Sequence, residues 1–234
     1  MEDKLKTATL LRSLKVIEDI YNEAMYDNND IYRVKDVIHS LDPNHWRNKE
    51  WAVHIFSNLY RKTRVDVFEV EAEDKRKYTE SNMLGQGKFL IVGGWYGLLA
   101  YCLKQQFPQS HVISSDMDPE CEKIGNNLFH NADIDFQTFA IEDDIDYDVS
   151  AILCTSVEHI DPKIIQNMID KKGEHTWVVL QSTNYNITSH INTHETYEDL
   201  EKAFTWPNNE WGGAIQFSNS QPNDDWLRHM VIAR

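Results

Sequence analysis

Apolar residues recur along this chain in two rhythms. Over residues 4–25, Leu10, Leu11, Leu14, Ile17, Tyr21, Ala24 and Met25 return every three or four positions, the period of an amphipathic helix. Asn28-Asn29-Asp30 breaks that pattern, and a short helix is expected over 32–41. Asp42-Pro43 reads as an N-cap and first helical position, opening a third helix to about residue 61 with Trp46, Trp51, Ile55 and Leu59 as its apolar stripe. From Lys88 onward short, continuous apolar runs take over, separated by helix-compatible stretches. Strands are expected over 88–92, 111–115, 136–139, 149–154 and 176–181. Helices are expected over 97–106, from Asp118-Pro119 to about 129, and after Asp161-Pro162. A capped helix from Thr196 to about 204 and two short strands, 214–217 and 229–233, complete the pattern. This alternation predicts an α/β fold, a parallel sheet with helices on both faces.

The same pattern divides the chain. Residues 1–62 read as a helical cap or lid packed on the main domain. Residues 63–84 mix alternation (Val65, Val67) with charge and read as a linker or the start of the core, and 85–234 form the main domain. At 41% hydrophobic and 26% charged, the 234 residues can bury a sizeable core. No run of about 18 apolar residues exists to span a membrane. The segment Met1-Glu2-Asp3-Lys4-Leu5-Lys6 leads into a mixed polar helix without a signal-peptide core. Cys102, Cys121 and Cys154 are far apart and odd in number, which suits reduced, buried thiols and a cytoplasmic setting.

A formal charge of −15 disfavours binding to phosphate backbones, so nucleic acid is an unexpected partner. The acidity is concentrated over residues 116–148, where eleven Asp and Glu face only Lys123. A solvated face is the ordinary reading of such a stretch, and a surface attracting a cationic substrate is the sharper one.

The chemistry points to one junction. The run Lys88-Phe89-Leu90-Ile91-Val92 ends in Gly93-Gly94-Trp95-Tyr96-Gly97, and Leu98-Leu99-Ala100 follows. A buried strand, a glycine turn and a helix N-terminus bring backbone close to a nucleotide-like ligand. The next apolar run, His111-Val112-Ile113-Ser114-Ser115, ends in Asp116, 23 residues after Gly93, where a ribose hydroxyl pair finds an acceptor. Tested as a dinucleotide fingerprint from Gly93, the second and third glycines fall on Trp95 and Leu98, so a nicotinamide enzyme is the weaker reading. No Gly-Lys-Ser/Thr follows, which removes a P-loop.

With Val92-Gly93-Gly94-Trp95-Tyr96-Gly97, Asp116-Met117-Asp118-Pro119 and Thr155-Ser156-Val157-Glu158-His159-Ile160 in view, residues 85–234 resemble the class I S-adenosylmethionine-dependent methyltransferases. The resemblance implies a Rossmann-like three-layer sandwich, a seven-stranded, mostly parallel sheet with an antiparallel C-terminal edge. It implies S-adenosylmethionine as cofactor, held by Gly93, Gly94, Trp95, Gly97, Asp116 and Met117, with Ala140 and Ile141 beside the adenine. In the family's acid-x-Gly-x-Gly-x-Gly pattern, the acid falls here on Ile91 and the middle glycine on Trp95. Those departures leave a second reading, a cofactor-binding or scaffolding member without turnover.

Methyl transfer asks the protein mainly to align nucleophile and methyl, and a base is needed only where the nucleophile holds its proton firmly. His159, just past the fourth strand, is the base candidate, with Glu158 placed to orient it. Thr155 and Ser156 read as lining the methionine end of the cofactor, Ser156 also toward substrate. Asn184 and Tyr185, after the fifth strand, suit a small polar substrate, an amine or amino-acid-like metabolite. His190 and His194 are four apart in a loop with no carboxylate at motif spacing, so no metal is expected. Trp206, Trp211 and Trp226 read as core and edge packing ahead of a cation-binding cage.

Overall fold

A computed structural model describes residues 30–70, 87–141, 147–206, 208–218 and 225–234. The helix expected over 4–25 and most of the expected linker lie outside them. Helices α1 (Asp30–Ser40) and α2 (Pro43–Val70) precede β1 (Lys88–Val92), α3 (Leu98–Gln106), β2 (His111–Asp116), α4 (Pro119–Leu128) and β3 (Asp135–Thr138). Then come β4 (Ala151–Cys154), a 3-10 turn (Val157–His159), α5 (Pro162–Lys171), β5 (Trp177–Thr183), α6 (Tyr197–Lys202), β6 (Asn209–Ser218) and β7 (Asp225–Ala233). The helix expected to stop near residue 61 runs on to Val70, so the first part of the expected linker is helical.

The seven strands lie in the order β3-β2-β1-β4-β5-β7-β6. β1 to β5 are mutually parallel, and β7 runs antiparallel to both β5 and β6, one place in from the edge. The closing hairpin is longer than its apolar runs suggest, because main-chain pairing extends into the exposed residues of β6.

Alternation along the central strands builds two cores. Phe89, Ile91, Ala151, Leu153, Trp177, Val179, Met230 and Ile232 face one side with α2, α3 and α4. Leu90, Val92, Ile152, Cys154, Val178, Leu180 and Val231 face the other with α5 and α6. The register keeps each face in line, Phe89 against Ala151 and Leu90 against Ile152, as a period of two requires. β1, β4 and β5 are buried on both faces, which is why they read as continuous apolar runs.

Helix α2 belongs to this core. Phe56 and Tyr60 pack edge-on against Phe89 and Phe107, and Trp51 meets Trp211 of β6 at 5.9 Å. Asn48 and Gln181 exchange buried amide hydrogen bonds of 2.9 and 2.8 Å, which fix α2 to the middle of β5. That bolt sets the direction of the adjacent Lys49, which reaches Thr155 just past the carboxyl end of β4. Side-chain caps start α4, α5 and α6. Asp118 accepts from Glu120 N–H and Asp161 from Lys163 N–H, each followed by proline, and Thr196 with Asp199 forms a capping box. Cys102, Cys121 and Cys154 are buried free thiols.

Candidate active site

At the carboxyl ends of β1, β2 and β4 the chain turns sharply. Gly93, Trp95 and Gly97 all have positive φ, 63°, 49° and 89°. Gly97 admits no substitute on two counts, since a Cβ there would also collide with the Phe136 ring. Gly94 N–H donates to Ser115 O at 2.7 Å, and Gly97 N–H to Gly94 O at 3.0 Å, which closes the turn against β2. Trp95 is a bulky residue in a left-handed conformation, at a strain of about 1–2 kcal/mol. Its indole stacks on Tyr96 at 4.9 Å and tilts toward His45 at 6.1 Å, so the ring that replaces a glycine becomes cavity wall.

Asp116 holds the turn from the other side. Oδ2 accepts the Trp95 N–H at 3.0 Å and Oδ1 accepts the Asp118 N–H at 3.1 Å. A carboxylate oxygen has two acceptor directions, so each keeps one for a further donor. The loop after β3 is tied to the same place, Phe139 N–H donating to Asp116 O.

A cavity of about 1010 Å³ opens over these ends. The glycine turn at Gly93, Gly94 and Trp95 lines it with Asp116, Met117, Phe139, Ala140 and Ile141. Thr155, Ser156, Glu158, His159 and Tyr185 line the β4–β5 side, and Asp36, His39, His45 and Lys49 close it from α1 and α2. Among the described residues five large apolar side chains are notably exposed, and three of them, Met117, Tyr185 and Ile187, border this cavity. Apolar surface left open around a concave site is surface that a ligand covers.

Ser156 Oγ donates to Gly93 O at 3.3 Å, tying the glycine turn to β4. Gly97 lies beneath the turn as the N-cap of α3 and serves by conformation rather than by lining the cavity. Asn184 faces away, its Oδ1 accepting the Leu227 N–H at 2.8 Å to pin the end of β5 to β7. Glu158 does not orient His159. It is buried and ion-paired to Arg228 of β7, while His159 Nδ1 sits 3.1 Å from Ser189 O. His190 lies edge-on to His159 at 4.7 Å, whereas His194 is turned inward onto Ser182 Oγ. The three C-terminal tryptophans part company. Trp206 packs on Phe204, Trp211 on Trp51, and Trp226 under the Arg228 guanidinium at 5.3 Å.

Sequence reasoning missed Lys49 and Arg228. Lys49 Nζ donates to Thr155 Oγ1 at 2.7 Å and has no carboxylate within ion-pair reach among the described residues. Burial, then the nearby Arg228 charge, pushes its pKa down to about 8. Burial and Lys49 push His45 down to about 3, leaving it neutral at pH 7. Lys49 stands three residues after Trp46 within an expected helix, so only its polarity beside an apolar stripe could have marked it. Arg228 is a charge inside an apolar strand pattern, itself a weak signal of a buried partner.

No protein-family model matches the chain, and no curated protein matches it significantly. Solved structures do. The plantazolicin methyltransferase BpumL, in complex with a pentazolic desmethylPZN analog and SAH, aligns over 100% of both chains with a TM-score of 0.56 and 13% identity. TehB from Haemophilus influenzae aligns with a TM-score of 0.51 and 14% identity, over 66% of this chain and 59% of its own. The strand order, the antiparallel β7 and these likenesses agree: the chain has the fold of the class I S-adenosylmethionine-dependent methyltransferases.

Proposed function

We propose that the protein is an S-adenosylmethionine-dependent methyltransferase whose acceptor is a small polar metabolite, an amine or amino-acid-like molecule. The observation that carries the reading is Asp116, whose two oxygens brace the glycine turn and keep one acceptor direction each, beside the exposed Met117 at the mouth of the cavity. That arrangement suits a ribose diol and an adenine face. The cofactor supplies an activated methyl on a sulfonium, whose leaving group departs neutral.

The protein's own part is positional. Gly93, Gly94 and Trp95 present backbone and ring along one wall, Ala140 and Ile141 form the adenine side, and Thr155 and Ser156 flank the middle. A volume of about 1010 Å³ accommodates the cofactor together with a small acceptor. Arg228 is already matched by Glu158, so Lys49 is the cation of the wall with no carboxylate partner among the described residues, which suits an acceptor with a carboxylate beside its nucleophile. His159 stands at the acceptor end, where activation of a protonated nucleophile is needed. The N-terminal helices contribute Asp36, His39, His45 and Lys49 to the cavity wall, where a cap over the acceptor would stand.

The test is turnover. Purified protein incubated with S-adenosylmethionine and a fractionated metabolite extract should accumulate the demethylated cofactor in some fractions. Calorimetric titration with that product should show one site per chain. Binding without turnover in any fraction would mark a cofactor-binding protein that has lost catalysis.

A further inference from the structure

Three electron-pair donors converge on one side of the cavity. Glu158, His159 and His190 each offer a donor atom, and these lie within 4.8 Å of one another. The rings are fixed from behind. His159 Nδ1 lies 3.1 Å from Ser189 O and His190 Nδ1 lies 2.5 Å from Tyr185 O. A backbone carbonyl only accepts, so Nδ1 carries the proton and Nε2 is the basic nitrogen of each neutral ring. A metal-binding histidine is oriented in the same way, its second nitrogen donating to a carbonyl. The third group is a buried carboxylate, Glu158, 1% exposed. Its Oε1 takes Arg228, while Oε2 is buried with no hydrogen-bond partner among the described residues. An unmatched carboxylate oxygen beside two imidazoles is unfavourable unless something accepts its electron pair.

We propose that Glu158, His159 and His190 bind one divalent transition-metal ion of the zinc class on the acceptor side of the cavity. Two nitrogens and one oxygen select such an ion over magnesium or calcium, which take oxygen sets. Arg228 balances the Glu158 charge and holds the carboxylate in place through Oε1. Three protein ligands leave a position for an outside group, the arrangement of a reactive rather than a purely structural metal. All three residues line the cavity, so that position lies on the acceptor's side. The consequence for substrate rests on the methyltransferase reading: the acceptor would carry a hydroxyl, thiol or amine that the ion binds and acidifies, in place of proton uptake by a free His159.

Full-length protein stripped with a chelator is titrated with zinc chloride by calorimetry, and with cobalt chloride by visible absorption. One ion per chain is expected, with the cobalt bands of a low-coordinate site. His159→Ala and His190→Ala should each weaken zinc binding by roughly tenfold or more. His130→Ala, on the exposed turn after α4, should leave it unchanged. Absence of saturable binding, or equal binding by wild type and both histidine variants, overturns the site. Binding of the demethylated cofactor is measured on the same samples, so the metal site can fail while the methyltransferase reading stands, and the reverse.

Discussion

Replacing Lys49 with methionine separates function from stability. In the folded protein its pKa is down from 10.5 to about 8, because burial and then Arg228 disfavour the ammonium. At about 1.36 kcal/mol per pKa unit, keeping Lys49 charged at pH 7 costs the fold about 3 kcal/mol. Methionine keeps the length and apolar stem of lysine without the charge, so Lys49→Met should stabilise the ligand-free protein by up to about 3 kcal/mol at pH 7. The lost hydrogen bond to Thr155 takes back about 1 kcal/mol. The folded-state pKa lies below the unfolded one, so from about pH 8 to 10.5 the unfolded chain holds the extra proton and the penalty fades as pH rises. By pH 9.5 the charge term should therefore shrink to about 1 kcal/mol. Urea unfolding of both proteins at pH 7 and 9.5 measures this, and the difference between them cancels groups such as Tyr96, whose phenol burial pushes up to about 12. If Lys49 is retained for a ligand's carboxylate, the stabilised variant should bind cofactor or acceptor at least tenfold more weakly. A variant less stable at pH 7, or one whose advantage grows with pH, would refute the electrostatic argument. A more stable variant with unchanged binding would remove Lys49 from the site.

Two further substitutions address the turn. Asp116→Ala should weaken binding of the demethylated cofactor by about 1–3 kcal/mol in calorimetry, as the loss of charge-assisted hydrogen bonds predicts, and unchanged affinity would exclude Asp116 from the ribose contact. Gly97→Ala should lower unfolding stability by about 2 kcal/mol or more in denaturant titration, because it combines a left-handed φ with a clash against Phe136. A loss below about 0.5 kcal/mol would mean that the turn relaxes freely.

The element pattern and sheet class are legible in the amino-acid sequence. β1, β4 and β5 are buried on both faces, so their sequences are unbroken apolar runs that a solvated strand would not tolerate. The starts of α2, α4 and α5 were equally plain, because Asp-Pro satisfies orphan amides with one residue and tolerates a missing N–H with the next. Element ends were less so. α2 continues to Val70 through residues that mix charge with apolar positions, and β6 extends through a polar stretch where pairing to β7 rather than side-chain burial sustains the strand.

Sequence by itself determined the strand–glycine–helix turn and the acid that follows it, since positive φ and close approach restrict which residues can occupy those positions. It also placed His159 at a strand end. The partners of these groups came only from the tertiary structure. Glu158 lies beside His159 in the chain yet pairs with Arg228, seventy residues away, because β7 inserts next to β5 and carries its cation to the end of β4. Asn184 looked like a substrate contact and instead closes the β5–β7 junction. Lys49 reaches Thr155 only because the Asn48–Gln181 bolt sets the rotation of α2 over the sheet. Local rules decide which residues can make a turn, a strand or a cap. The meeting of charges from distant segments depends on strand order and helix rotation, which no short window of sequence contains.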